Sequence, residues 1–406
     1  MPDDQLYLDY HATTPCAPVV LEAMLPWFSQ HFGNASSRLH AYGRRAADAV
    51  ALAREQVSAL IGASPEEIIF TSGATESINL ALKGAAQQLR HKGQHIITLA
   101  TEHAAVLDTC KRLEQWGFEI SYLPVQPNGL LHLGQLQEAL RPDTILVAVM
   151  TANNETGVLQ DMAGISAITH AHGAWLFTDA TQAVGKIPFT VDQPKVDLAA
   201  FSAHKMYGPK GVGALYLRRR DPRVQVQALL DGGGHERGLR SGTLNVPGIV
   251  GFGAAARYVG ADLELEGARQ GMLRDRFEAG LRQLDQVWIN GVDSNRLPGV
   301  SNFSAAFTEG QALHAAIARE IALSAGSACA SATLEPSHVL TAMGHGRELA
   351  FASMRLSLGR PTDAKAMQEA LDRITFFLEA VRRDSPTWSL FRQGLLRDSS
   401  PWAKLQ

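Results

Sequence analysis

Cysteine is scarce: there are 3 in 406 residues, Cys16, Cys110 and Cys329, with no C-x-x-C pair. Thiols so few and so widely spaced build neither a disulfide framework nor a cysteine-based zinc site, so a cysteine that matters here matters as a free thiol. Charge of one sign is missing as well. Lys+Arg 37 against Asp+Glu 40 leaves a net charge of -3, and the run Arg218-Arg219-Arg220 is too short to make a nucleic-acid footprint. Apolar runs such as Thr144-Ile145-Leu146-Val147-Ala148-Val149-Met150 fall far below the ~18 residues a membrane helix needs. The start, Met1-Pro2-Asp3-Asp4, lacks the basic region and apolar core of a signal peptide and the Arg-rich character of a transit peptide. A cytoplasmic location is expected.

What is present reads as globular. Apolar residues make up 46%, and Gly 36 with Pro 18 is close to ordinary usage. The length suggests two or three compact units. Between about 65 and 220, short apolar runs alternate with helical stretches, as in parallel βαβ units. The expected strands are Ile68–Thr71, His95–Ala100, Glu119–Pro124, Ile145–Met150, Trp175–Asp179, Leu198–Ser202 and Gly213–Leu217. A helical face through Leu107, Cys110, Lys111 and Leu113 is expected before Gly117. After about Gly260 the pattern changes to a long helix with Leu273, Phe277, Leu281 and Leu284, strands near Gly299–Phe303 and Met354–Ser357, and a helix with Leu371, Ile374, Leu378 and Val381. The fold class is α/β, with a large domain on a mostly parallel sheet and a smaller α+β domain.

In open parallel sheets ligands bind at the carboxyl ends of strands, so the loops there carry the functional reading. Ser72-Gly73-Ala74-Thr75-Glu76 suits a phosphate at a helix start, although a capped helix looks the same. His103 follows the second strand and reads as structural or catalytic. Asp179 closes an apolar strand, either as a helix cap or as a charge awaiting a partner. Ser202-Ala203-His204-Lys205 brings a lysine out of a buried strand. A phosphate cradle, a ring that can stack, a carboxylate and a Schiff-base lysine are together what pyridoxal phosphate requires.

At these positions the chain resembles the cysteine desulfurases, pyridoxal-phosphate enzymes of the aminotransferase-like fold (fold type I). The motifs are Tyr7-Leu8-Asp9-Tyr10-His11-Ala12-Thr13-Thr14-Pro15, Phe70–Ser77, Asn153-Asn154-Glu155-Thr156-Gly157, Ser202–Lys205, Gly232–Gly238 with Arg240–Thr243, and Gly326-Ser327-Ala328-Cys329. One departure is Ala35 after Asn34, where the family usually has proline. The resemblance implies domains at 14–260 and at 1–13 with 261–406, the second carrying the Cys329 loop and the tail. It implies that Lys205 carries the cofactor, Asp179 pairs with its ring nitrogen and His103 stacks on it. Gln182 and Asn154 are expected near the ring hydroxyl or substrate, and Ala74, Thr75, Ser202 and His204 on the phosphate. Thr243 is expected to reach the phosphate of the neighbouring subunit, which makes a homodimer part of the expectation. Arg355 is the expected clamp for the substrate carboxylate.

Cys329 sits among small residues, Ser324 to Ala332, which suit an exposed loop rather than a core strand. The implied reaction takes sulfur from L-cysteine and releases L-alanine: Lys205 removes the Cα proton, and the Cys329 thiolate accepts sulfur as a persulfide. His103 is the candidate for proton transfer. The alternatives are a selenocysteine lyase or another pyridoxal-phosphate lyase, and, from another class, a non-catalytic sulfur-relay subunit. The Cys329 loop resembles that of the housekeeping type, which passes sulfur to iron–sulfur scaffold proteins, and to other carriers such as those of tRNA thiolation. Cys329 is then the contact for a transferred iron–sulfur cluster, with no resident metal. In the tail, Trp388, Phe391 and Leu395 share a helical face. Either they pack back as a lid, or the part beyond Gly394, with Trp402 as an aromatic anchor, docks the sulfur acceptor.

Overall fold

The strands in chain order are β1 (Leu6–Tyr7), β2 (Ile68–Thr71), β3 (His95–Leu99), β4 (Glu119–Leu123), β5 (Thr144–Ala148), β6 (Trp175–Asp179), β7 (Leu198–Ser202), β8 (Gly213–Leu217), β9 (Val287–Ile289), β10 (Val300–Ala305), β11 (Ile321–Ala322), β12 (Ser324–Ala325) and β13 (Ser353–Ser357). The structure, a computed structural model, describes residues 5–325, 335–396 and 399–403. β2 to β8 form a seven-stranded sheet in the order β2-β8-β7-β6-β5-β3-β4. All seven expected strands form, to within two residues at their ends.

The sheet is mostly parallel, as expected, with one strand reversed. β7, β6, β5, β3 and β4 run parallel, but β8 is antiparallel to both β7 and β2. The link from β7 to β8 spans only 203–212 and opens with a tight turn at Ala203–Lys205, too short for the helical crossover a parallel neighbour requires.

Strand alternation feeds two apolar layers, one on each face of this sheet. Ala199 and Phe201 of β7 join the helices Ala41–Leu60 and Val246–Gly260. Leu198 and Ala200 face the other way, toward Ala74–Leu89 and Ala104–Gln115. With both faces covered, β3, β5, β6, β7 and β8 read as nearly continuous apolar runs. The helix Ala104–Gln115 buries Val106, Thr109, Cys110 and Leu113. That stripe lies one residue off the expected Leu107 and Lys111, because burying the Lys111 ammonium would cost more than burying a threonine methyl and hydroxyl.

β12-β13-β10-β9 form a second, antiparallel sheet. Phe277 and Leu281 of helix Leu263–Leu281 and Ile374 and Leu378 of helix Ala364–Arg383 cover it, packing on Phe303, Met354 and Leu356. The latter helix starts at Asp363, whose side chain accepts from Ala366 N–H at 2.8 Å, and ends in Arg382 and Arg383, which suit the helix dipole. The N-terminal segment runs beside this sheet: β1 pairs in parallel with β11, and Asp9 bridges Ser357.

The tail folds back. Ser385 caps the short helix Pro386–Arg392, and Phe391 stacks on Phe307 at 4.2 Å between ring centroids. Trp402 is only 9% exposed and lies 5.7 Å from the same Phe307 ring. It is therefore not the exposed anchor that the sequence reading offered; Phe307 supplies an intramolecular partner that no local pattern announces. Leu390 and Leu395 stay exposed. Among the described residues no helix is long and apolar enough to cross a membrane.

Candidate active site

A cleft of about 580 Å³ opens where β2, β3, β5, β6 and β7 end. At one side lies the start of helix Ala74–Leu89, whose cap, Gly73, has no side chain to satisfy the first turn. The N–H groups of Ala74 and Thr75, which a helix cannot pair internally, line the cleft. This turn sits hard against β8: a Cβ on Gly213 would fall 2.7 Å from the Gly73 backbone, so only glycine fits there. Buried Ser202, and His204, close the same side. The His204 ring accepts or donates to Thr13 Oγ1 at 3.1 Å, and burial, followed by the charge of Lys205, pushes its pKa down to about 4.

Lys205 projects from the turn after β7. Its Nζ donates to the carbonyls of His11 at 2.6 Å and Ala12 at 2.8 Å. Burial, with Arg355 adding repulsion, pushes its pKa from 10.5 to about 8. Gln182 Nε2 donates to the same His11 carbonyl at 3.0 Å, while its Oε1 accepts from Lys186 Nζ. Lys186 has a pKa well below the usual lysine range, through burial and then the neighbouring Lys205 charge. Asp179, 6% exposed at the end of β6, accepts from Thr181 N–H at 2.9 Å through one carboxylate oxygen.

His103 caps helix Ala104–Gln115, its Nδ1 accepting from Ala105 N–H at 3.1 Å. The neutral ring then carries its proton on Nε2. The surrounding protein depresses its pKa through loss of solvent, although the ring faces the open cleft. Two buried acceptors at the cleft, Asn154 Oδ1 and Thr181 Oγ1, have no hydrogen-bond partner among the described residues. Unsatisfied groups of this kind are expensive, and a ligand with polar edges would satisfy them. Arg355, from β13, closes the far side. Its Nη1 donates to the Asn154 carbonyl at 2.8 Å and its Nη2 to Asp9 Oδ1 at 2.7 Å.

The site residues expected from sequence thus line one cleft, with two exceptions. Thr243 is exposed and does not line the cleft of its own chain. Cys329 lies outside the described residues, in the segment that follows β12. Sequence reasoning missed four contributors. His11 and Ala12 act through backbone carbonyls, which no side-chain pattern reveals. Lys186 hides in the apolar run Val184 to Ile187. Glu102, the residue before His103, is fully buried: its Oε1 accepts from Met150 N–H at 2.7 Å, its Oε2 has no partner among the described residues, and burial raises its pKa well above the carboxylate range. A carboxylate directly beside a candidate catalytic histidine was the available signal.

The class-V aminotransferase family matches residues 6–369. A cysteine desulfurase IscS from Anaeromyxobacter sp. (strain Fw109-5) is 52% identical over 399 residues, covering 98% of each chain. A solved NifS-like protein superposes with a TM-score of 0.86 at 36% identity, over 93% of this chain and all (100%) of its own. SspA, solved in complex with cysteine, superposes with a TM-score of 0.78 at 37% identity, over 87% of this chain and 99% of its own. By sequence along nearly its whole length and by fold, the chain belongs to the class-V aminotransferase family, in its cysteine desulfurase branch.

Proposed function

We propose that this protein is a pyridoxal-phosphate-dependent cysteine desulfurase, which takes sulfur from L-cysteine, releases L-alanine and holds the sulfur as a persulfide on Cys329. The observation that carries the reading is one cleft joining an uncapped helix start, a buried carboxylate and a lysine whose pKa is lowered to about 8. That donor set fits the cofactor. The N–H groups of Ala74 and Thr75, with Ser202 and His204, suit its phosphate; Asp179 suits its protonated ring nitrogen; and Asn154 and Gln182 suit its polar edge or the substrate. When bound, the cofactor withdraws electrons from the substrate Cα.

The chain's own residues do the rest. Lys205 has a substantial neutral fraction near its lowered pKa, so its amine removes the Cα proton without a strong base. Arg355 offers a guanidinium to the substrate carboxylate. His103 exchanges a proton with the cleft through Nε2, since Nδ1 is committed to the helix cap. Cys329 Sγ, as thiolate, bonds to the substrate sulfur while the substrate Cβ–S bond breaks.

An exposed apolar band supports a homodimer: Leu25, Phe28, Phe32, Leu39 and Tyr42 are all more than half exposed, and Leu39 is 98% exposed. In such a dimer Thr243 serves the neighbouring cleft. Sulfur then passes to scaffold proteins of iron–sulfur assembly, with Leu390 and Leu395 as the exposed apolar contacts of the tail. The test pairs a visible spectrum with mass spectrometry. The wild type is expected to change spectrum on adding cysteine and to gain sulfur at Cys329, whereas Cys329→Ser changes spectrum but forms no persulfide. Undiminished sulfide release by Cys329→Ser would overturn the assignment.

A further inference from the structure

Arg355 is 8% exposed, so its charge needs a partner whether or not a substrate is present. The partner it has is internal. Asp9 Oδ1 accepts from Arg355 Nη2 at 2.7 Å and from Ser324 Oγ at 2.9 Å, and Ser324 Oγ in turn accepts from Nη2 at 2.7 Å. Three distant pieces of chain hold this triangle. Asp9 is fixed by its bridge to Ser357, and Ser324 stands opposite Arg355 across the β12–β13 ladder. With both acceptors counted, the two hydrogens of Nη2 are used. Nη1 is committed to the Asn154 carbonyl, while Nε is buried with no partner among the described residues.

A carboxylate that engages a guanidinium side-on uses Nε together with the nitrogen beside it, and end-on it uses both terminal nitrogens. Either approach brings the incoming anion against donors that Asp9, Ser324 or Asn154 already holds, and one of those competitors is itself a carboxylate. We propose that Asp9 is an internal counter-ion that sets the affinity of the cleft for carboxylates: it keeps Arg355 aimed and neutralised in the free protein and weakens the hold on any substrate carboxylate that arrives. Asp9 is thus a positioning and affinity-setting residue. This inference rests on the desulfurase reading only in naming Arg355 as the carboxylate contact.

The test is Asp9→Asn, which keeps an oxygen acceptor for Nη2 and Ser324 and removes only the charge. Binding to the purified holoprotein is measured by calorimetry with two probes: 3-mercaptopropionate, which has a thiol and a carboxylate but no amine, and 2-mercaptoethanol, which lacks the carboxylate. With a like charge a few ångströms away removed in a partly desolvated cleft, the mercaptopropionate Kd is expected to fall by about tenfold. The mercaptoethanol Kd should not move. KM for cysteine is expected to fall in parallel with no rise in kcat, and Ser324→Ala, which removes an acceptor but no charge, should shift either constant far less. An unchanged or weaker mercaptopropionate Kd in Asp9→Asn would overturn the proposal, as would equal effects on both probes. Absence of cysteine turnover in the wild type would sink the desulfurase reading, yet the two-probe comparison would still decide the role of Asp9.

Discussion

Lys205 carries a cost that stability measurements can read directly. Its ammonium form is disfavoured in the fold, and the interval from 10.5 to about 8 corresponds to roughly 3 kcal/mol. The sign follows from proton counting: between those two values the unfolded chain binds more protons than the native one, so the native state gains stability as pH rises. Below about pH 8 the full penalty applies; above 10.5 it is gone. Lys205→Met removes the titration but also takes one donor from each of the His11 and Ala12 carbonyls, His11 keeping Gln182 Nε2, at about 1 kcal/mol each. At pH 7 the penalty outweighs those losses, and the cofactor-stripped variant is expected to be more stable than the wild type by about 1 kcal/mol. By pH 10 the order reverses, with the difference between the two proteins moving by roughly 2 kcal/mol across that window. The assay is urea unfolding of both stripped proteins at pH 7, 8, 9 and 10. A difference that stays constant over this range would refute the reasoning, because then Lys205 would titrate in the fold as it does in water.

Glu102→Gln replaces a neutral acid by a neutral amide. Because the native pKa of Glu102 lies above 4.5, the wild type loses stability as pH rises from 4.5 toward that higher value, and the variant does not. Thermal melts at pH 5 and pH 8 should show the variant gaining on the wild type at the higher pH, and parallel behaviour would contradict a neutral Glu102. Trp402→Ala empties the space against Phe307 and is expected to cost about 3 kcal/mol of global or local stability, read by urea unfolding or by protease cleavage in the tail. A tail equally resistant without Trp402 would show that this contact holds nothing.

The long parallel core was readable because strands buried on both faces write themselves as unbroken apolar runs, and His95–Leu99 or Leu198–Ser202 admit little else. β1, β9, β11 and β12 were not anticipated, since two or three residues carry no periodicity. Those short strands are what bring Asp9 and Ser324 to Arg355. The candidate site divides in the same way. Gly73, Asp179 and Lys205 announce themselves at strand ends, where residue type and position together carry meaning. The carbonyls of His11 and Ala12, the proton on Glu102 and the aim of Gln182 depend on what packs around them, which local sequence does not encode. Trp402 shows the reverse error: an aromatic in a polar tail looks available until Phe307 is found beneath it.

The bridge from Asp9 to Ser357 and the pairing of Leu6 with Ile321 also govern when the protein can begin to work. A ribosome delivers the first dozen residues long before the strand that receives them. Until β13 has emerged, Asp9 has no ledge to rest on. Asp9 and β1, made well before their partners, are therefore among the last pieces to find their places. Contacts at such separation form slowly, after the local helices and neighbouring strands. A chain cut short before residue 353 can build most of the large sheet, but it leaves the carboxylate end of the cleft unmade.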